Sequence, residues 1–386
     1  MRRIYLDNAA TTPLLPQVVD AMLPWLREQH GNPSSAHAHG RAARVAVERA
    51  REHVAAMIGA DPREIIFTAG GTESDNTALH MALHAHTDIS KLHVISSAAE
   101  HHAVHMPIEA LGRGGAAVGL LPVDAAGVAR SERITEMIRP ETVLCSLMHI
   151  NNETGGILPL EEVGVLLRPH DVLFHSDIVQ SAGKLPIDIH AAQVDFAAMS
   201  AHKIHGPKGI GALYVRSGLD AEAFIVGGGQ ERGRRGGTEN VAGIVAYGEA
   251  ARLAVEERDE RLARWKDYRA RFRACLLDAF PRLHVNEVTE DTVLANILSV
   301  SFPADVYSVD GAALLMNCDL AGVSVSGGSA CASGSVQASH VMRAIGHDDA
   351  TGAATLRISF GATTTQEDVD EGCQRVLNVL GDMLGR

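Results

Sequence analysis

The stretch SAHKIHGPKG at residues 200–209 contains a lysine, Lys203, in a setting that is unusual for a charged side chain. An apolar run at 196–199 precedes it, and a second apolar run at 210–215 follows the proline and glycines. This pattern predicts that Lys203 lies at the end of a buried strand. Because a buried, unpaired ammonium group is strongly unfavourable, the position indicates a lysine that is paired, neutral or covalently bound to a ligand.

Other polar residues also follow predicted strands. FTAGGTESDN at 67–76 turns through Gly71 into a predicted helix start at Thr72, and HSD at 175–177 places Asp177 after an apolar run. Ser200 and His202 lie beside the lysine. Ligands of open α/β sheets bind beyond the carboxyl ends of the strands, so we expect these side chains to lie together. Taken alone, an ordinary glycine turn with a threonine N-cap explains the first stretch better than a phosphate site does, and a helix N-cap is the alternative explanation for Asp177.

A lysine, an acid and a phosphate-binding turn form the set that pyridoxal 5′-phosphate (PLP) requires. Lys203 would hold the aldehyde of PLP as an imine, which removes the cost of burying a charge. Asp177 would face the pyridine nitrogen, and Thr72, Ser200 and His202 would bind the phosphate. The segment GPKGIG lacks the Gly-Lys-Ser/Thr ending of a Walker-type nucleotide loop. The sequence therefore predicts a PLP site at this edge of the sheet.

The elements that must position these residues alternate along the chain. Short apolar runs at 64–68, 91–97, 142–150, 172–177 and 211–215 are separated by helix-like segments such as 72–86 and 160–168. This alternation predicts an α/β fold with a mostly parallel sheet covered by helices. Residues 241–280 are predicted to form one long helix, and a smaller α+β region follows. We expect a large PLP-binding domain at 13–250 and a small C-terminal domain at 251–386, joined by the N-terminal segment 1–12.

Composition narrows the function classes. The 386 residues carry a formal net charge of −13, which argues against direct binding of nucleic acid or of an anionic membrane. The N-terminus MRRIYLDNAATTP lacks the apolar region of a secretory signal and no membrane-length apolar stretch occurs, so a cytoplasmic protein is expected. The scattered cysteines predict neither a disulfide framework nor a zinc site. They are Cys145, Cys275, Cys318, Cys331 and Cys373.

Two histidines, His80 and His84, are spaced four residues apart on a predicted helix. A metal-binding pair is conceivable, but no carboxylate or cysteine ligand joins them at matching spacing. A solvated helix face explains the spacing better, and no metal site is predicted.

Nine motifs in order make the sequence resemble the cysteine desulfurases of the NifS/IscS type. These are fold-type I, class V aminotransferase-like PLP enzymes. The resemblance extends from residue 5 to about residue 370. It implies a large domain with a mostly parallel seven-stranded sheet, a small α+β domain built from both chain ends, and a homodimer. The motifs are YLDNAATTP, GNPSSAHAHG, FTAGGTESDN, EHHAV, NNETG, SAHKIHGPKGIGALYV, GGGQERGRRGGTEN, GGSACASGS and RISFGATTTQEDVD.

The resemblance also implies the reaction. Sulfur would be removed from L-cysteine to give L-alanine and a persulfide on Cys331, for transfer to an acceptor such as an iron–sulfur scaffold protein. Lys203 would hold PLP and move the substrate Cα proton. His101 would stack on the pyridine ring and act as an acid or base, whereas His102 and His105 are expected to be surface or packing residues.

Further roles are carried over in the same way. Asn152 and Gln180 would contact the PLP ring substituents, and Arg357, with Asn152, would bind the substrate carboxylate. Thr238 would reach the PLP phosphate of the partner subunit. Ile178 stands where relatives often have a small alanine under the ring, which questions close ring packing.

Alternative functions differ in what they require of these residues. Selenocysteine lyase activity uses the same site. An aminotransferase needs no nucleophilic cysteine, and a non-catalytic PLP-binding scaffold of a sulfur-transfer complex needs neither Lys203 nor Cys331 as reacting groups.

Overall fold

The computed structural model describes residues 2–219, 221–328 and 337–385. No helix in these ranges is both long and apolar enough to cross a membrane. The strands are β1 Ile4–Tyr5, β2 Ile65–Thr68, β3 His93–Ser97, β4 Ala117–Leu121, β5 Thr142–Ser146, β6 Leu173–Asp177, β7 Phe196–Ser200, β8 Gly211–Val215, β9 His284–Val285, β10 Ile297–Ser301, β11 Val323–Ser324 and β12 Thr355–Ser359. The α-helices are α1 Pro16–Arg27, α2 Ala38–Ile58, α3 Gly71–Leu83, α4 His102–Arg113, α5 Ile134–Met137, α6 Leu160–Leu167, α7 Val241–Glu256, α8 Arg258–Ala279, α9 Gly311–Leu320, α10 His340–Ala344, α11 Asp349–Ala353 and α12 Gln366–Leu384. Short 3₁₀ helices cover Pro62–Glu64, Ile89–Lys91, Ser131–Arg133, Arg168–His170, Ala201–Lys203, Gln230–Gly233 and Glu290–Thr292.

The main sheet has seven strands in the order β2-β8-β7-β6-β5-β3-β4. Strand β8 runs antiparallel to both of its neighbours, and the pairings from β7 to β4 are parallel. The predicted α/β class and the mostly parallel seven-stranded sheet are therefore confirmed. Parallel pairing brings the carboxyl ends of β6 and β7 to one edge, where Asp177 and Ser200 end their strands.

Helices cover both faces of this sheet, as the burial of successive strand residues requires. On one face α2 and α7 pack over side chains such as Phe174 and Met199, and we call this cluster the first core. On the other face α3 and α4 pack over side chains such as Leu144 and Phe196. Strand β7 is buried along its whole length. That burial explains its run of apolar residues.

A second core lies around the antiparallel sheet β12-β10-β9. Helices α8 and α12 pack on it, and the N-terminal residues Ile4 and Leu6 belong to the same cluster. Strand β1 pairs in parallel with β11, so the chain's N-terminus is part of this C-terminal region. The division into domains at 13–250 and 251–386 stays a prediction.

The single helix predicted at 241–280 is wrong, because the chain forms two helices, α7 and α8. They meet at Glu257, whose φ of −100° and ψ of 5° leave helical geometry. Helix α7 contributes Tyr247 to the first core and α8 contributes Phe272 to the second. Because of this break, residues of one continuous segment pack into two separate cores. The helix-favouring sequence of residues 241–280 gives no sign of that packing.

Two expectations about side chains are also corrected. Cys275 and Cys373 form a disulfide between α8 and α12, although they are 98 residues apart in sequence. Packing of the two helices in the second core, not sequence spacing, brings them together. His80 and His84 do not form a solvated face, since both are half-buried and the His80 ring lies 5.3 Å from the ring of Phe224, centroid to centroid.

The contact between α2 and α7 generates a prediction. A Cβ added at Gly248 would lie 2.5 Å from the Cα of Ala50, so Gly248→Ala must push two helices apart. We expect the free energy of unfolding to fall by about 1–3 kcal/mol, as overpacking does elsewhere. The measurement is urea denaturation.

A matched control is Gly112→Ala in α4, where an added Cβ would meet only the side-chain methyl of Val118 at 3.3 Å. Helical propensity favours alanine there by about 0.5–1 kcal/mol, and the small adjustment of the Val118 methyl offsets part of that gain, so stability should change by less than about 1 kcal/mol. Equal effects of the two substitutions would contradict the close helix contact.

Candidate active site

A cavity of about 360 Å³ opens at the carboxyl ends of β6 and β7. It brings together ten of the twelve residues that the sequence predicted for the site. These are Gly71, Thr72, His101, Asn152, Asp177, Gln180, Ser200, His202, Lys203 and Arg357. The residues come from strand ends, helix starts and β12 of the second core, so their meeting is a result of the fold.

Lys203 ends the 3₁₀ helix Ala201–Lys203, directly after β7. Its Nζ donates to the carbonyl oxygens of Ala9 at 2.7 Å and Ala10 at 2.8 Å. Burial, followed by the charge of Arg357, lowers the pKa of Lys203 to about 8. An amine with this pKa is partly unprotonated near neutral pH, which imine formation with an aldehyde requires.

Asp177 is the last residue of β6 and is buried. One of its oxygens, Oδ1, accepts the backbone N–H of Val179 at 2.9 Å. Burial raises the pKa of Asp177, while His101 and Lys203 oppose that shift. A cationic N–H donor would stabilise the ionised form of this buried carboxyl. A protonated pyridine nitrogen is such a donor.

Asp75 is a site residue that sequence reasoning missed. A carboxylate oxygen of Asp75, a ring nitrogen of His101 and a carboxylate oxygen of Asp177 all lie within 4.8 Å of one another. Burial, then the charges of Asp177 and Glu100, raise the pKa of Asp75 well above its usual value. Asp75 is three residues after Thr72 on α3, and that spacing, which places both on one helix face, was the available signal.

His101 is the N-cap of α4, and its Nδ1 accepts the backbone N–H of Ala103 at 3.1 Å. A neutral ring with Nδ1 as acceptor carries its proton on Nε2. The cavity walls desolvate the ring, although part of its surface stays reachable from solvent, and this lowers the pKa of His101. The adjacent His102, expected to be a surface or packing residue, is exposed and lines the cavity, and its ring lies 4.8 Å from that of His340, centroid to centroid.

The phosphate-binding prediction concerns the start of α3. Gly71 and Thr72 open this helix, where the first backbone N–H groups have no intrahelical acceptor. A Cβ on Gly71 would lie 2.9 Å from Val179 Cγ2, so a residue larger than glycine at this helix start would have to displace the Val179 side chain. Among the described residues, the hydroxyls of Thr72 and Ser200 have no hydrogen-bond partner.

His202 completes this set of donors. A shallower pocket adjoins the cavity and shares Gly71, Thr72, Ser200 and His202 with it. Burial lowers the pKa of His202 to about 4, so its ring is neutral, and its Nδ1 lies 3.1 Å from Thr11 Oγ1. Free hydroxyls, helix-start N–H groups and an imidazole fit a phosphate. With Lys203 and Asp177, they fit PLP.

Arg357 enters the cavity from β12. Its Nη1 donates to the backbone carbonyl oxygen of Asn152 at 2.8 Å, and its Nη2 donates to Asp7 Oδ1 at 2.9 Å. Its Nε is buried without a hydrogen-bond partner in the described part of the chain. Only two of the five guanidinium N–H donors are used in these contacts, so further N–H groups on Nη1 and Nη2 are left for a ligand, while Asp7 holds the guanidinium in place.

Of the two remaining predicted site residues, the structure describes Thr238 but not Cys331. Thr238 is exposed and does not line it. Cys331 lies outside the described residues, although Gly328, the last described residue before it, lines the cavity. Ile178, which raised doubt about ring packing, is buried in the first core, and its neighbour Val179 lines the cavity instead.

The lowered pKa of Lys203 can be measured directly in the cofactor-free protein. Because only the unprotonated amine reacts with acetic anhydride, Lys203 should show half-maximal reactivity near pH 8, about two pH units below an ordinary lysine. Competitive labelling across pH 6–11, read by peptide mass spectrometry, gives the midpoint. The exposed Lys266 on α8 is the internal control. Identical midpoints for the two lysines would contradict the desolvated site.

The comparisons with known proteins agree with this geometry. The model of the family Aminotransferase class-V matches residues 4–371. The chain is 43% identical over 381 residues to "Putative cysteine desulfurase IscS 1" from Bacillus subtilis (strain 168), and the match covers 98% of this chain and 99% of that protein.

Solved structures show the same relationship. One described as a NifS-like protein superposes with a TM-score of 0.91 at 36% identity, covering 98% of this chain and 100% of that chain. Another, "SspA in complex with cysteine", superposes with a TM-score of 0.79 at 34% identity, covering 94% of this chain and 100% of that chain. The chain thus belongs to the aminotransferase class-V family, among the cysteine desulfurases of the IscS and NifS type.

Proposed function

We propose that the chain is a PLP-dependent cysteine desulfurase that converts L-cysteine to L-alanine and carries the sulfur as a persulfide on Cys331. The observation that carries this proposal is the convergence of Lys203, Asp177 and His101 on one cavity. The family membership and the cysteine-bound structural relative support the substrate. The sulfur then passes to an acceptor protein, for example an iron–sulfur scaffold, in the cytoplasm.

The residues around the cavity have separate tasks. Bound PLP supplies an electron sink for the pair released when the substrate Cα–H bond breaks. Lys203, with a pKa of about 8, holds the cofactor and, as a neutral amine, accepts the Cα proton. His101 holds or donates a proton at Nε2. Asp177 keeps a positive charge at the pyridine nitrogen, and the start of α3 holds the phosphate.

Substrate binding falls to Arg357 and Asn152. The guanidinium is fixed by the backbone carbonyl of Asn152 and by Asp7, and the unused N–H groups on Nη1 and Nη2 are the donors proposed to bind one oxygen of the substrate carboxylate. A charge-assisted hydrogen bond of this kind is stronger than a neutral one and favours an amino acid substrate.

The sulfur step conserves atoms and electrons without an external oxidant. The Cys331 thiolate attacks the sulfur of the substrate, and the S–S bond forms as the substrate Cβ–S bond breaks. The electron pair of the broken bond stays with Cβ, which takes up a proton and leaves in L-alanine. The sulfur remains on the enzyme as the persulfide of Cys331.

The sharpest test separates cofactor chemistry from sulfur chemistry. In Cys331→Ala, Lys203, Asp177 and His101 are intact, so L-cysteine should still bind and change the absorbance of bound PLP. Alanine formation should fall by about three powers of ten or more, as expected when a nucleophile is removed. Alanine is measured by chromatography and persulfide by mass spectrometry.

The control is Cys318→Ala, which removes a thiol buried in the second core and should retain most of the activity. Near-normal alanine production by Cys331→Ala, or persulfide on Cys145 or Cys318 during turnover, would refute the assignment of Cys331.

The enzyme is proposed to act as a homodimer in which Thr238 binds the PLP phosphate of the other subunit. Thr238 is exposed and lies away from the cavity of its own chain, which supports a role in a second copy. Loss of one hydrogen bond to a charged group predicts that Thr238→Ala weakens PLP binding about 10- to 100-fold.

Mixed dimers distinguish a Thr238 that acts across subunits from a Thr238 that acts within its own chain. When Thr238→Ala chains are co-expressed with Lys203→Ala chains, one site of each mixed dimer has Lys203 and receives an intact Thr238 from its partner. PLP affinity and activity should return at that site. No recovery in mixed dimers of confirmed composition would show that Thr238 does not act across subunits.

A further inference from the structure

Lys184 is a buried cation next to the site that the proposed reaction does not use. Lys184 lies four residues after Gln180 in the sequence. Only 4% of the surface of Lys184 is exposed. Its Nζ donates to Gln180 Oε1 at 2.8 Å. In the described part of the chain, no carboxylate lies within ion-pair distance of this Nζ.

The environment of Lys184 is electrostatically unfavourable. Burial, followed by the positive charges of Lys203 and Arg357, lowers the pKa of Lys184 to about 7. A methionine or leucine in its place would avoid this cost, because an apolar residue of similar volume is often neutral or stabilising at such a site. Stability alone therefore does not explain a lysine here.

The contact with Gln180 determines how its carboxamide is oriented. At the opposite end of the amide, Nε2 donates to the Ala9 carbonyl at 2.9 Å. A carbonyl oxygen only accepts and Lys184 in its protonated form only donates, so with Lys184 protonated the two partners require the same orientation of the amide. Lys184 faces the amide oxygen, and the NH₂ group faces Ala9 and the cavity that Gln180 lines.

The consequence concerns the second N–H of this NH₂ group. One hydrogen of Nε2 is used by the Ala9 carbonyl, which also accepts Lys203 Nζ. The other remains for a ligand in the cavity. The phenolic oxygen of PLP is an acceptor on the ring, whereas a flipped amide would present a second acceptor to it.

We propose that Lys184 is a positioning residue that locks the Gln180 carboxamide with its N–H edge toward the cofactor. This inference rests on the proposed PLP-dependent function. Lys184 touches neither substrate nor cofactor in this role. It acts only through Gln180, and its effect on PLP should vanish when Gln180 cannot form a hydrogen bond.

The test is a double-mutant cycle with Lys184→Met and Gln180→Leu. Holoenzyme is dialysed against a series of PLP concentrations, and bound PLP is quantified at each one. Lys184→Met should raise the PLP dissociation constant about tenfold, the effect of one lost hydrogen bond. Its melting temperature should be unchanged or higher. In the Gln180→Leu background, Lys184→Met should have no further effect.

Lys266→Met, a substitution of an exposed lysine on α8, is the matched control and should leave PLP affinity unchanged. Three outcomes overturn the inference: a fall in melting temperature with unchanged PLP affinity, additive effects of the two substitutions, or wild-type affinity in Gln180→Leu. The last remains decisive if Lys184→Met fails to fold. Failure of the wild-type protein to bind PLP would instead overturn the proposed function itself.

Discussion

The site depends on one strip of backbone near the N-terminus, at residues 7–12. Its carbonyls at Ala9 and Ala10 accept the Lys203 ammonium, and Ala9 also accepts the amide of Gln180. Asp7 pairs with Arg357 from β12. Thr12 is hydrogen-bonded to the backbone carbonyl of His202. The strip thus ties residues of the main sheet to residues of the second core.

This arrangement explains why the N-terminal residues belong to the second core. Ile4 and Leu6 are anchored there, and the chain then crosses to the cavity within a few residues. The position of Arg357 relative to Lys203 is therefore set by a short, hydrogen-bonded segment. A substrate held between the two side chains would be held between the two cores.

Burial is the dominant electrostatic influence around the cavity. It raises the pKa of Glu100 to about 8 and that of Glu153 to about 7, and it lowers that of Lys184 to about 7. Each shift favours the neutral form of the group. The same burial keeps Lys203 partly unprotonated near neutral pH, which suits its proposed role of accepting a proton from a carbon atom. Cys145 and Cys318 follow the same rule, because burial raises the pKa of both thiols and makes them poor nucleophiles.

The sequence by itself determined the features that depend on neighbouring residues. The apolar run before Asp177, the run before Lys203 and the glycine turn before Thr72 each specify a strand end or helix start locally, and parallel pairing makes such ends meet. Only the tertiary structure decided what distant segments contribute. The proximity of Asp75 to Asp177, the pairing of Asp7 with Arg357, the Cys275–Cys373 disulfide and the break at Glu257 all follow from how separate helices and strands pack. Local sequence carries no information on such contacts, because they form between side chains whose separation along the chain is unrelated to their distance in space.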